Sequence, residues 1–252
     1  MRHRNLTASQ QAGASGPLVI GLAGTIAAGK STVAALLEER GAVHCDGDKL
    51  VHTLYAPGTP GFERVVDAFG QDIVGSDGLV DRKLLGAKVF GKPDEMNRLT
   101  TAIGSITEAI KRVVDGWRRD LGPGQLAVLE AVNLMEPGFA IWCDQVWLIG
   151  ASDDVARQRL IETRGMSEAE ANQRLKSMIP LEVRAPGCDW VYRNDGTRAE
   201  LAAAVNAELE RVVALHSAGA LAQSKFADWW RPFIAIARPA LRQAGVIAAD
   251  EV

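Results

Sequence analysis

Gly24-Thr25-Ile26-Ala27-Ala28-Gly29-Lys30-Ser31 satisfies the spacing G-x-x-x-x-G-K-[ST], and Thr32 leads on into a helix-forming run that reaches Arg40. An apolar run, Leu18 to Ile20, precedes it, so the motif has the strand–loop–helix setting in which this spacing carries meaning. The glycines let the backbone curl until consecutive N–H groups point inward at an anion, with the positive end of the following helix behind them. In that arrangement Lys30 reaches the β- and γ-phosphates of a nucleoside triphosphate, and the Ser31 hydroxyl holds Mg²⁺. The expected ligands are ATP and Mg²⁺.

Other residues could work on such a triphosphate. A short strand, Ala42 to Cys45, runs into Asp46-Gly47-Asp48. At the carboxyl end of a strand in an open α/β sheet, these two carboxylates would stand beside the ligand crevice. One can act as general base for an acceptor hydroxyl and the other can take part in Mg²⁺ water coordination. The competing role is capping of the next helix, for which Asp is well suited. Glu130 lies inside an otherwise apolar strand (LAVLEAVNL) within Gln125 to Met135. A carboxylate there is costly unless paired or placed at the strand's mouth, so it either faces the phosphate site or bonds to a neighbouring backbone. Asn133 and Glu136 follow at the carboxyl end, better placed to meet a substrate. Residues 152–184 read as two helices carrying Arg157, Arg159, Arg164, Arg174 and Arg184. Arginines over a phosphate loop can stabilise charge on the γ-phosphate, and Arg159 and Arg164 are taken for that role. Any one of them alone would more ordinarily belong to a solvated helix face.

The elements that must position these groups are those of an α/β protein. At 252 residues, with 47% apolar and 23% charged residues, the chain suits one sizeable α/β domain with insertions. A formal charge of −3 gives no bulk electrostatic reason to expect a nucleic-acid or anionic-membrane partner. Cys45, Cys143 and Cys188 are widely spaced with no C-x-x-C pair, which suggests reduced thiols of a cytoplasmic protein. No apolar run is long enough to span a membrane. Residues 1–17 read as a flexible leader. Gly41 should close the first helix as its C′ glycine. Residues 49–115 are helical in pattern, with Phe62, Val65, Val66 and Phe69 on one face, and read as an insertion between the second and third strands. Two further strands are expected, Gln145 to Gly150 and Trp190 to Arg193, the latter leading through Asn194-Asp195-Gly196 to a helix from about Arg198. Beyond His216 lies a helical tail with Trp229, Trp230, Pro232 and Phe233, open to docking on the core or to a dimer contact.

From about residue 18 to 212, the order and spacing of motifs resemble the dephospho-CoA kinase family. The matching stretches are GTIAAGKST, the D-x-D at Asp46 and Asp48, PGTPGFERVVDAFG with its Ser76-Asp77-Gly78 turn, the strand end Val132 to Glu136, and the N-x-G at Asn194 and Gly196. The resemblance implies a P-loop nucleoside-kinase-like fold: a three-layer parallel-sheet core (18–48, 116–150, 189–212), a helical acceptor-binding insertion (49–115) and a lid (151–188). An extra helical tail (213–252) follows. It also implies transfer of the ATP γ-phosphate to the ribose 3′-hydroxyl of dephospho-CoA, with Asp48 as base, lid arginines on the phosphates, and Asn194 and Gly196 on the nucleotide side. The partner would be a small-molecule acceptor, and the protein a monomer or weak homo-oligomer.

Departures from the family pattern cluster on the acceptor side. His52 stands where the D-x-D-x-x-x-R arginine is expected, Gly104-Ser105 replaces a His-Pro pair, and Val132-Asn133 replaces Pro-Leu. Thr163 stands for a lid arginine, with Arg164 adjacent. Within the loop, Thr25 and Ala27 replace glycines and Ala23 a threonine. Changing several hydrogen-bonding partners together would change which acceptor is taken. Three readings follow: a dephospho-CoA kinase, a paralogue acting on another nucleoside or sugar-nucleotide hydroxyl, or a non-catalytic nucleotide-binding regulator.

Overall fold

Along the first strand, β1 (Leu18–Gly24), Leu18, Ile20 and Leu22 join one hydrophobic cluster and Val19 and Ala23 another, and every residue is buried. Alternation with both sides covered is what a parallel sheet between two helical layers requires. The computed structural model describes residues 16–243; most of the expected leader and the last nine residues of the tail lie outside them. Among the described residues β1 is joined by β2 (Val43–Asp46), β3 (Leu126–Glu130), β4 (Gln145–Gly150) and β5 (Trp190–Arg193). All pair in parallel, in the order β2-β3-β1-β4-β5. Every strand therefore ends at the same edge, and ligands of open α/β sheets bind outside that edge.

The helices are α1 (Lys30–Glu39), α2 (Gly47–Leu54), α3 (Pro60–Phe69), α4 (Arg82–Val89), α5 (Pro93–Ile103), α6 (Ile106–Asp120), α7 (Asp153–Arg164), α8 (Glu168–Lys176), α9 (Leu181–Arg184), α10 (Arg198–Ser217) and α11 (Phe226–Gln243). Helices α1 and α10 cover one face, seating Val33, Leu37, Leu201 and Val205 against Ile20, Leu22 and Trp147. The opposite face takes Ile110, Val114 and Trp117 of α6 together with Phe226 of α11. The tail thus docks on the core.

Residues from α2 to α5 enclose a core of their own, built from Tyr55, Val65, Phe69, Ile73, Leu85, Val89 and Ile103. The expected end of the insertion, 115, falls within α6. Ile110, Val114 and Trp117 of that helix pack on the sheet core, while Ile106 at its start packs against both clusters. Strand β3 stops earlier than the run Gln125 to Met135 predicts: its last residue, Glu130, pairs with Leu22 on one side and with Asp46, the end of β2, on the other. The chain then turns, burying Leu134 and Met135 as core without further strand pairing.

Glu136 departs most from expectation. Read as a substrate-facing carboxylate, it is instead 1% exposed and paired at 2.6 Å with Arg184, itself 2% exposed. Glu136 Oε2 and Arg184 Nη1 have no hydrogen-bond partner among the described residues. Removing one member of such a pair leaves the other charge buried and unpaired, costing about 3–5 kcal/mol. Arg184→Met should therefore show a loss of that order in urea unfolding. Glu136→Leu added to it should recover part of the loss, and equal losses in the single and double variants would contradict this account.

Candidate active site

Between β1 and α1 the loop folds as its composition requires. Gly29 sits at φ 92°, and a Cβ there would lie 2.6 Å from Asn194 Nδ2. Ala27 adopts φ 55°, a left-handed conformation that costs a residue with a side chain about 1–2 kcal/mol. Neighbouring groups hold this strain in place. Asn194 donates to the Ala28 carbonyl at 2.8 Å, Arg159 Nη1 to the Ala27 carbonyl at 3.2 Å, and Thr25 N–H to Ile149 O at 2.9 Å. The loop lines a cleft of about 300 Å³ with Glu130, Val132, Arg164, Arg174, Ser177 and Met178.

Glu130 resolves its two readings in favour of this cleft. At the mouth of β3 its Oε1 lies 2.6 Å from Lys30 Nζ, and both side chains are largely buried. Behind it, His44 Nε2 stands 3.0 Å from Glu130 Oε2, within ion-pair distance but without hydrogen-bond geometry. His44 is a residue that sequence reasoning missed; its place in β2 carries no motif.

The two aspartates differ in their surroundings. Asp46 caps α2, accepting from Lys49 N–H at 3.0 Å. Burial pulls its carboxyl upward, but the Lys49 hydrogen bonds and the Lys49 and Lys30 charges outweigh this, and it titrates below the usual range. Asp48 is free of capping. Its Oδ2 accepts from Val132 N–H at 3.2 Å, across from the phosphate loop. Burial raises its pKa above the ordinary value, with Asp46 and Glu130 adding to the rise and Lys30 opposing it. A carboxyl so placed and so shifted is suited to proton abstraction.

The arginines separate by environment. Arg157 is taken up by Asp154 and Asn172, and Arg184 is the buried partner of Glu136. Arg159 braces the loop from outside. Arg164 and Arg174 line the cleft without ion-pair partners among the described residues; Arg174, the one arginine of α8, reads in sequence like any of the five arginines of 152–184. Asn194 supports the loop through its carbonyl, and Gly196 is an exposed residue of the turn before α10. Asn133 is exposed directly after Val132.

On the insertion side, His52 Nδ1 is hydrogen-bonded to the Tyr55 hydroxyl, the rings meeting edge to face. Burial lowers the His52 pKa, and the Arg82 charge lowers it further. Arg82 is the first residue of α4, exposed, with no ion-pair partner among the described residues. A cation in the first helical turn opposes the helix dipole. That unfavourable placement is a signal the sequence offered and the motif reading passed over.

A parallel sheet with a phosphate loop at its switch edge, facing a carboxylate and unpaired arginines, defines a P-loop phosphotransferase. The dephospho-CoA kinase family profile matches residues 18–200, more than half of the chain. Dephospho-CoA kinases from Symbiobacterium thermophilum and Geobacter metallireducens are 39% and 40% identical over 191 and 187 residues. Those alignments span 74% and 73% of this chain and 79% and 90% of the relatives. A solved structure from Thermus thermophilus superposes with TM-score 0.63 at 27% identity, over 78% of this chain and 98% of that one. The dephospho-CoA kinase of Campylobacter jejuni, at 18% identity and TM-score 0.53 over 77% and 96% of the two chains, shares the fold. The chain belongs to the dephospho-CoA kinase family.

The raised pKa of Asp48 gives this site a pH signature. Activity that needs its carboxylate should be lost as pH falls through a value above that of an ordinary aspartate. Asp48→Asn should lower kcat by roughly 10²–10⁴-fold while leaving ATP binding near the parent value. Steady-state rates across pH, with calorimetric titration of ATP, would show this; unchanged turnover in the variant removes Asp48 from the mechanism.

Proposed function

We propose that this protein transfers the γ-phosphate of ATP to the ribose 3′-hydroxyl of dephospho-CoA, as a cytosolic enzyme of coenzyme A biosynthesis. The observation that carries the reading is Asp48, a solvent-reachable carboxylate with a raised pKa that accepts from the N–H of Val132, a residue of the cleft wall, and lies within the field of Lys30. Asp48 takes the proton of the acceptor hydroxyl as its oxygen bonds to the γ-phosphorus. The bond from that phosphorus to the β,γ-bridging oxygen breaks, and ADP leaves. Lys30 turns from Glu130 toward the β- and γ-phosphates, and the loop N–H groups meet the charge that develops on the leaving side. Arg164 and Arg174, projecting from a lid formed by α7 and α8, neutralise the transferred group.

The donor set suits Mg²⁺: the Ser31 hydroxyl and the Glu130 carboxylate are hard oxygen ligands at the loop. Bound there with the triphosphate, the ion supplies charge neutralisation. On the acceptor side His52, Tyr55 and Arg82 meet the anionic part of dephospho-CoA, with Asn133 at the strand mouth. In this reading Arg82 supplies a guanidinium to the same wall of the site as His52, where the family motif has its arginine. The comparisons do not favour a different acceptor or a regulator without catalysis, even though the acceptor-side departures had kept both open.

The test is ADP release from Mg²⁺–ATP with and without dephospho-CoA, beside a panel of nucleosides and nucleotides. Stimulation by dephospho-CoA with CoA as product is the expected result. Turnover with another panel member and none with dephospho-CoA would overturn the assignment. His52→Arg should alter the KM for dephospho-CoA more than the KM for ATP; a change confined to ATP kinetics would displace the insertion from the acceptor role.

A further inference from the structure

The family match ends at residue 200, yet the chain beyond it builds one of the closest-fitted contacts in the molecule. Phe226, Trp229, Trp230, Phe233, Ile234, Ala237 and Leu241 recur at helical spacing and form the inner stripe of α11. Trp229 lies flat against Gly187, where a Cβ would come within 2.6 Å of its ring. Its indole N–H donates to Val183 O at 3.0 Å, and that of Trp230 to Glu136 O at 3.2 Å. Under these rings runs the buried Glu136–Arg184 pair. At the start of α11, Asp189 accepts from Ser224 Oγ at 2.6 Å and from Lys225 N–H at 3.0 Å.

What α11 holds is the returning arm of the lid. Ile179 packs against Ile234 and Leu241, and it follows directly on Met178, which lines the triphosphate cleft with Arg174 and Ser177. The helix also touches α5 of the insertion and the 3₁₀ turn Phe139–Trp142 of the core. One element thus meets the lid root, the sheet core and the acceptor side.

We propose that α11 is a strap that sets the stance of the lid, with Trp229 and Trp230 as positioning residues for Arg164 and Arg174. The proposal rests on the kinase reading above. A lid hinged at both ends has two ways to misplace its arginines. Its outgoing end is fixed to the strand edge, where Asp195 accepts from Ser152 N–H at 2.7 Å at the start of α7. Its returning end has α9 and the turn at Gly187, and α11 is what clamps them. Through α5 the same helix ties that clamp to the acceptor side, so the lid and the insertion share a support.

Hydrogen exchange of the segment 164–178, measured with and without Mg²⁺–ATP and no acceptor, reads the lid directly, alongside steady-state kinetics with dephospho-CoA. Trp229→Ala should lose most of the ATP-induced protection of 164–178, with kcat lowered about tenfold and ATP affinity changed less than about threefold. Trp229→Phe, which keeps a ring on Gly187, should stay near the parent. Gly187→Ala reads the same contact from the lid side, should reproduce the Trp229→Ala effect, and serves in its place should that variant not fold. Combining the two should be no worse than either alone. A folded variant with parent-like kcat and parent-like ATP-dependent exchange would overturn the strap, even if its melting temperature fell. Failure of the kinase reading is distinct: the parent itself would release no ADP with dephospho-CoA, while the exchange arm would still report on the lid.

Discussion

An ammonium group at the carboxyl edge of a buried sheet requires a counter-charge, and much of this molecule's active half follows from supplying one to Lys30. The lysine is fixed there because the loop before it must expose its N–H groups inward and then enter α1 at once. Glu130 meets it at 2.6 Å, from the neighbouring strand and at the same level. The carboxylate that reads as an anomaly within an apolar strand is thus the group that makes burial of Lys30 tolerable before a phosphate arrives. Glu130 is the last residue of β3, in register with Leu22 and Asp46, and that register sets its carboxylate at the level of the lysine.

The same economy governs the loop. Alanine at position 27 accepts a left-handed backbone that glycine would adopt freely, and the strain persists because the surroundings hold it: Asn194 on the Ala28 carbonyl and Arg159 on the Ala27 carbonyl. Both residues, expected to face nucleotide or phosphate, act here on the protein's own backbone. Asn194 directly follows β5 and Arg159 lies in α7 after β4, so the loop is braced from the half of the sheet order away from β2 and the helical insertion. Two glycines lost from the loop therefore need not cost its shape, because side chains from elsewhere now impose it.

How much of this was legible in sequence depended on the range of the interaction. The phosphate loop, the paired aspartates and the strands Gln145–Gly150 and Trp190–Arg193 are written in local pattern, and the structure has them at those positions. Asp46 as a cap was equally local, and only the choice between capping and chemistry needed the fold. The pairing of Glu136 with Arg184 was not legible, because it joins residues 48 apart through an α9 and a turn whose packing depends on a helix outside the recognised pattern. A glutamate at a strand end looks the same in sequence whether it faces solvent or a buried guanidinium. His44 was missed for a like reason: only the register of β2 on β3 brings it behind Glu130. Where the insertion ends is not written locally either: α6 has the helical period of its neighbours, and periodicity reports that a face is buried without saying against what.

The departures on the acceptor side look different once they are placed in space. In a list of motif positions, losing the arginine at 52 removes a cation. In the fold, the His52–Tyr55 pair lies within the field of Arg82, which stands unpaired at the amino end of α4, against the helix dipole. A protein keeps a cation in such a position when something other than helix stability selects for it. Burial is the larger influence on His52 and lowers its pKa, the Arg82 charge adds to that, and the charges of Asp48 and Asp46 oppose it. The wall that reads as short of a cation at position 52 thus has one within reach in the fold, from Arg82, beside the carboxylates of Asp46 and Asp48. What has changed is where the cation comes from: it acts on His52 from the first turn of α4 and not from position 52 itself, a difference that only the packing of α4 and α2 into one core makes visible.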